Sequence, residues 1–362
     1  MRMLTRSTRN AVAAAAVVVL VLLPIVGSDF FVAFVMTRAV MLGLAASTIV
    51  FLSSYGGMAS LAQFLFVGVA GFMVGNAVGE GGTKGLKLGW NPWVGVLFAL
   101  AVTVVLALGL GALAARTTGI YFLMLTLTYA VIGYYFFGQV TTFSGFGGIT
   151  GIAPPPLFHG HPLRFYYLCV ALSLVVYAVF RSLARTPFGL ALQGVRDDPV
   201  RMASLGFNVA LQRTIAFTIA GFVAGIAGVL NIWWNGQIDP TSISIGPTID
   251  LLIVAVIGGI AHLEGAWLGA FVFVVANNYM RDLPFASAIG LTEARFNTVV
   301  GLIVLLIMVL SPDGLVGVIL RVRSGVSGPP GGRSRARATD SADIGDRTSF
   351  TVSTQLTEGS TK

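Results

Sequence analysis

A 362-residue chain that is 56% hydrophobic and 10% charged, with a mean hydropathy of +0.88, is far from the balance of a water-soluble domain. Its formal charge of +8 does not signal nucleic acid: the basic residues stand at the ends of apolar runs, in one long polar insert and in the C-terminal tail, without an aromatic-interleaved patch. The single cysteine, Cys169, excludes an internal disulfide or a cysteine metal cluster.

About 17–25 apolar residues suffice for a helix to cross roughly 30 Å of hydrocarbon. Candidate spans lie at about 11–27, 30–52, 58–79, 93–115, 119–138, 165–183, 214–234, 247–261, 266–280 and 297–310. They predict an all-α, polytopic membrane bundle of about 8–10 transmembrane helices over residues 11–320, behind a cytoplasmic segment 1–10. In the first, Arg2, Arg6 and Arg9 precede an Ala/Val-rich core, as in a signal peptide. Its length, Pro24 and the immediate return to another apolar run favour a retained helix. The eighth and ninth runs are short, and read either as tilted spans or as a re-entrant pair meeting at the Gly-rich turn 258–265. Glycine pairs four apart, Gly71/Gly75, Gly221/Gly225 and Gly265/Gly269, allow helices to approach closely in lipid.

Basic residues are denser on the side that carries the N-terminus, which places both termini and the insert 185–213 in the cytoplasm. Residues 321–362 are rich in Gly, Pro, Ser and Arg without apolar periodicity, and are expected to form a disordered cytoplasmic tail.

The insert carries helix punctuation. Asp198-Pro199 reads as an N-cap followed by proline at the first helical position, Val200 to Leu205 as a short helix, and Gly206 as its left-handed end. Phe188 to Val195 predicts a preceding helical piece with Phe188, Leu192 and Val195 on one side. The result is a helical elbow offering Met202 and Leu205 to a partner; the other reading is a solvated linker.

The segment FGLALQGVRDDPVRMASLGFNV, from Phe188 to Val209, resembles the cytoplasmic coupling segment of branched-chain amino acid ABC-transporter permeases of the LivM type. The resemblance rests on Phe188, Gly189, Ala191, Val195, Arg196, Asp197, Asp198, Ala203, Leu205, Gly206, Asn208 and Val209. Four further stretches are similar to family motifs in family order: Tyr55 to Met73, Arg116 to Ala130, Val256 to Ala270 and Leu310 to Val318. The resemblance implies a non-catalytic permease subunit of an ATP-driven importer in the bacterial plasma (inner) membrane, moving branched-chain or related amino acids. It further implies a second homologous permease subunit of the LivH type, two cytoplasmic ATPase subunits and an extracytoplasmic solute-binding protein as partners, with lipid around the spans. Phe188, Gly189, Val195, Arg196, Asp197, Asp198, Met202, Ala203, Leu205 and Gly206 would then couple to the ATPases. Departures at Gln63, Leu190, Gln193 and the turn Ala261 to Ala266 bear on the cargo; related permeases carry urea, short amides, aromatic acids or sugars. On the same resemblance, Gly221/Gly225 could serve the interface with the second permease subunit.

The chain contains no Gly-Lys dipeptide and hence no phosphate-cradling G-x-x-x-x-G-K-[ST] loop, so ATP and Mg are expected on partner subunits and no cofactor on this chain. Ion-coupled secondary transport predicts midplane acidic residues and paired halves, and few such acids are present. A membrane-embedded enzyme would need a convergent set of nucleophile, base or metal ligands, which the runs lack. His159 and His161 fall short of the three or four ligands of a metal site. The polar candidates within or beside the spans are Ser60, Gln63, His262 and Glu264 for a translocation path, with Asp250, Asn277, Asn278 and Arg38 also present. For His262 and Glu264 an interfacial turn in water competes with path lining.

Overall fold

The computed structural model describes residues 31–79, 86, 88–143, 145–152, 154–158, 160–279, 301 and 314–317. The expected first span, nearly all of the tenth and the 321–362 tail lie outside the described residues, as do Lys84, Lys87, His159, Arg281 and Arg295.

Among the described residues the helices are α1 (Thr37–Gly56), α2 (Gln63–Val78), α3 (Pro92–Ala114), α4 (Ile120–Gln139), α5 (Pro162–Leu183), α6 (Pro187–Asp197), α7 (Pro199–Ser204), α8 (Val209–Asn235), α9 (Ile245–Gly258) and α10 (Gly265–Tyr279). A π-helical turn, Phe31–Met36, leads into α1, where the Thr37 hydroxyl donates to the Val32 carbonyl at 3.2 Å. The two-residue strands β1 (Ile149–Thr150) and β2 (Gln237–Ile238) pair antiparallel, Ile149 opposite Ile238.

Local chemistry sets these boundaries. Proline stands at the first turn of α3, α5, α6 and α7, where a missing N–H costs nothing. Asn91, Thr186, Asp198 and Asn208 each accept a hydrogen bond from a free backbone N–H at the start of α3, α6, α7 and α8. α1 ends where Gly57 turns left-handed at φ 64° and the Met58 N–H reaches back to the Leu52 carbonyl at 3.1 Å.

Among the described residues five helices are long and apolar enough to cross a membrane: Phe34–Gly56, α3, α4, α5 and α8. α2, α9 and α10 are shorter apolar helices. At 14 and 15 residues, α9 and α10 run about 21–23 Å, short of the roughly 30 Å hydrocarbon layer. They fold back on one another at Gly-on-Gly approaches: a Cβ on Gly258 would lie 1.9 Å from the Gly265 carbonyl oxygen, and one on Gly269 2.1 Å from that of Val254.

Helix α1 is the axis, packed by α5, α8, α9 and α10, and α2, α3 and α8 each pack against the other two. Most of α1 is buried, whereas most of α3 is exposed or half-buried. α3 turns Gly95, Ala99, Thr103, Ala107, Gly111 and Ala114 inward, and Leu97, Val105, Leu108 and Leu113 outward. Small residues inside and large aliphatic ones outside invert the soluble pattern and suit a helix whose outer face meets lipid.

This seam corrects one expectation. A Cβ at Gly221 would meet the Ala107 Cβ at 2.6 Å, and one at Gly225 the Thr103 Cγ2 at 3.2 Å. The Gly221/Gly225 face of α8 is therefore occupied by α3 of the same chain and is not open to a second subunit. Two glycines four apart announce close approach without saying which helix approaches.

Candidate functional site

The elbow is formed by α6 and α7. The Thr186 hydroxyl caps α6, and the Gln193 side chain donates to the Ala184 and Gly189 carbonyls at 2.9 and 3.0 Å, tying α6 to the end of α5. Gly189 has no alternative there: a Cβ would lie 2.1 Å from the Leu183 carbonyl oxygen. Leu192 and Val195 are fully buried and Phe188 is half-buried against the core, so one face of α6 docks onto the bundle as its spacing predicts.

Helix α7 projects further. The Asp198 carboxylate accepts from the Arg201 N–H at 2.9 Å, and Gly206 adopts φ 89°. Leu205 is 65% exposed and Val200 78%. Met202 departs from the sequence expectation: its sulfur lies over Gly194, where a Cβ would come within 2.7 Å, so it joins α7 to α6 and leaves the outward apolar surface to Val200 and Leu205. Ala203 and Asp197 are exposed.

Arg196 links the elbow to the bundle. Its guanidinium donates to the Ser54 carbonyl near the end of α1 and to the Asp197 carboxylate at 2.9 Å, while its stem covers Gly57, where a Cβ would lie 2.6 Å from the Arg196 Cγ. Nothing at 196 announces this partner, because Ser54 is 142 positions away.

Gly57 opens the irregular segment between α1 and α2; Ser60 lies within it, and Gln63 is the first residue of α2. Both are buried, together with Thr126 of α4. The Ser60 hydroxyl accepts from the Ala62 N–H at 3.2 Å and from the Gln63 amide nitrogen at 3.4 Å; Thr126 accepts from the Leu61 N–H at 3.1 Å. The Gln63 Oε1 has no hydrogen-bond partner among the described residues. An orphaned buried acceptor costs on the order of 1–3 kcal/mol. Thr126, unremarked in the sequence, stands in the matched stretch 116–130.

His262 and Glu264 occupy a different place, the turn between α9 and α10. His262 is held through its backbone, its N–H donating to the Gly259 carbonyl at 3.1 Å. The Glu264 carboxylate accepts from the Tyr177 hydroxyl at 2.7 Å and pairs with Arg181 at 3.4 Å, both on α5. The four path candidates thus divide into a buried pair at the α1–α2 break and a partly solvated pair at the α9–α10 turn. Arg38 of α1 and Asp250 of α9 lie within electrostatic reach of one another. Among the described residues no group of three or more His, Cys, Asp or Glu converges on a metal position.

The family described as branched-chain amino acid transport system / permease component matches residues 31–311. A high-affinity branched-chain amino acid transport system permease protein LivM of Salmonella typhimurium is 32% identical over 166 residues, 44% of this chain and 37% of its own length. A probable branched-chain amino acid transport permease protein LivM of Methanocaldococcus jannaschii is 23% identical over 297 residues, 76% of this chain and 84% of its own. The fructose import permease protein FrcC of Rhizobium meliloti is 31% identical over 101 residues, 28% of each. The chain thus spans little more than a third of the length of the Salmonella relative. No solved structure matches the chain.

Proposed function

The chain belongs to the permease components of branched-chain amino acid transport systems, and from that premise we propose that it moves a small polar solute inward, powered by separate ATPase subunits that grip the α6–α7 elbow. The observation that carries this reading is the elbow: a capped helix pair presenting Val200 and Leu205 outward, while Arg196 touches the bundle where α1 ends. A linker has no reason to be capped at both helices, locked at Gly189 and bonded to a transmembrane helix.

In this reading the elbow faces the cytoplasm, and an extracytoplasmic binding protein delivers solute to a pair of permease subunits. Relatives named LivM support a branched-chain amino acid as cargo; the one named for fructose import supports a sugar as the second reading. The mechanism needs two packings of the bundle, biased by different contacts at the elbow. Displacement of α6 moves Arg196, and with it Ser54 and Gly57. The segment leading to Ser60 and Gln63 follows, and Gln63 turns its orphaned carbonyl oxygen toward water or solute in the other state.

Proteoliposomes holding this chain, its co-expressed subunits and the binding protein test the reading. ATP-dependent accumulation of labelled leucine, competed by unlabelled leucine and not by fructose or urea, is expected. Accumulation without ATP on an ion gradient would overturn it, and fructose competition alone would move the cargo to the second reading.

Gln63 supplies a separate expected outcome. Gln63→Leu removes a poorly satisfied buried amide at nearly constant volume, so thermal stability should hold or rise by about 1 kcal/mol. Uptake should nevertheless drop by about tenfold if the amide meets solute, since losing one buried polar contact costs about 1.4 kcal/mol or more. Paired melting and uptake measurements decide it; unchanged uptake removes Gln63 from the path.

A further inference from the structure

Beyond Arg196, a second polar joint connects the elbow end of the bundle to distant chain. Tyr177 and Arg181 lie one helical turn apart on α5 and both reach the same Glu264 oxygen: the Tyr177 hydroxyl donates at 2.7 Å, and an Arg181 nitrogen stands at 3.4 Å. Arg181 also donates to that hydroxyl, and its Cζ lies 5.5 Å from the centre of the Tyr177 ring. Glu264 directly precedes α10, where a negative charge is favoured by the helix dipole.

The neighbouring contacts of this turn are close apolar and main-chain packing. Trp267 meets the Tyr177 ring edge-on at 5.9 Å and lies where any side chain at Gly43 of α1 would have to go, 2.6 Å from a Cβ. A Cβ at Gly314 would sit 2.5 Å from the Gly259 backbone, so the turn is closely packed there too. Against these apolar and backbone contacts, the Tyr177–Arg181–Glu264 joint is the one that water can replace: the Arg181 and Glu264 side chains are 20% and 47% exposed. Half-solvated ion pairs are cheap to open. Arg181 is also less than two turns upstream of α6, whose Gly189 and Gln193 are locked to Leu183 and Ala184, so a shift of the elbow reaches the last turn of α5 directly.

We propose that Tyr177, Arg181 and Glu264 form a releasable latch between α5 and the α9–α10 turn, which holds the α9–α10 hairpin in one packing and lets it move when the elbow is displaced. The proposal rests on the reading of the elbow as the coupling element, and the three side chains act in it as positioning residues.

The full chain is reconstituted in nanodiscs with its co-expressed subunits, carrying Leu263→Cys in the buried part of the turn and Cys169→Ser to remove its native thiol. The reading is the rate of labelling by a membrane-impermeant maleimide. Glu264→Gln, Arg181→Gln and the mild Tyr177→Phe, which keeps the ring against Trp267, should each accelerate labelling by about fivefold, the effect of losing a partly exposed ion pair or its hydrogen bond. The exchange Arg181→Glu/Glu264→Arg should return the rate to within about twofold of the start, because the pair re-forms with its signs reversed. Equal rates in all variants overturn the latch, as does an exchange variant labelling as fast as the single ones. Labelling requires no transported solute. Absence of ATP-driven uptake alongside the expected labelling pattern would therefore refute the permease mechanism and uphold the joint.

Discussion

Arg196→Glu should cut solute uptake by about tenfold while the assembled complex goes on hydrolysing ATP and the chain reaches the membrane in normal amount. Arg196 gives the Ser54 carbonyl a charged donor and fills the space over Gly57 with its aliphatic stem. Glutamate at that position turns an acceptor toward an acceptor and sets a second negative charge beside Asp197, now paired with Arg196 at 2.8 Å. A charged hydrogen bond contributes about 1.5–3 kcal/mol. The Arg196 side chain is 39% exposed, so the lower end applies, equivalent to roughly one order of magnitude in an equilibrium. Arg196→Lys should lose less, since it keeps the charge while giving up the planar fork that serves Ser54 and Asp197 together. Solute moved per ATP hydrolysed is the quantity to measure. An unchanged ratio in the Glu variant would end the assignment of Arg196 as the link between elbow and bundle.

Gly228→Ala should be the most damaging methyl group that can be added to the α2–α8 crossing. α8 crosses α2 with backbone against backbone: a Cβ on Gly228 would lie 2.1 Å from the Val67 carbonyl oxygen and 2.8 Å from its carbon. Overpacking usually costs about 1–3 kcal/mol because side chains can shift rotamer. Val67 presents main chain here, so whole helices must separate and the cost lies at or above that range. A melting temperature lower by roughly 5 °C or more is expected in detergent-solubilised protein. Gly109→Ala on α3 is the matched control, since a Cβ there meets nothing within 4 Å, and it should leave the melting temperature unchanged or slightly raised. Equal melting of the two variants would show that the α2–α8 crossing is looser than its geometry indicates.

Much of the elbow is readable in a single pass along the chain. Asp198-Pro199 and Gly206 act on neighbours three or four residues away, so their cap and turn conformations appear in the structure where local rules put them. The spacing of Phe188, Leu192 and Val195 likewise names the docking face of α6. Met202 fails the same treatment because α7 spans only 199–204, and which residue of so short a helix turns inward depends on the small Gly194 beneath it. Arg196 with Ser54, Leu61 with Thr126, and Tyr177 with Glu264 are separated by 142, 65 and 87 positions. No periodicity or cap rule reaches that far.

The order of amino acids alone determined that this chain lives in a membrane, how the elbow helices are capped, and which insert breaks the pattern, because each depends on transfer into hydrocarbon or on hydrogen bonds within one helical turn. It ran the third expected span through 58–62, where the structure breaks the chain before α2 begins at Gln63. Tertiary structure decided which helix covers Gly221, which carbonyl Arg196 holds, and that Glu264 answers to α5. Those choices depend on how helices stack in three dimensions, and a small residue or a charge in sequence specifies only that something must come close.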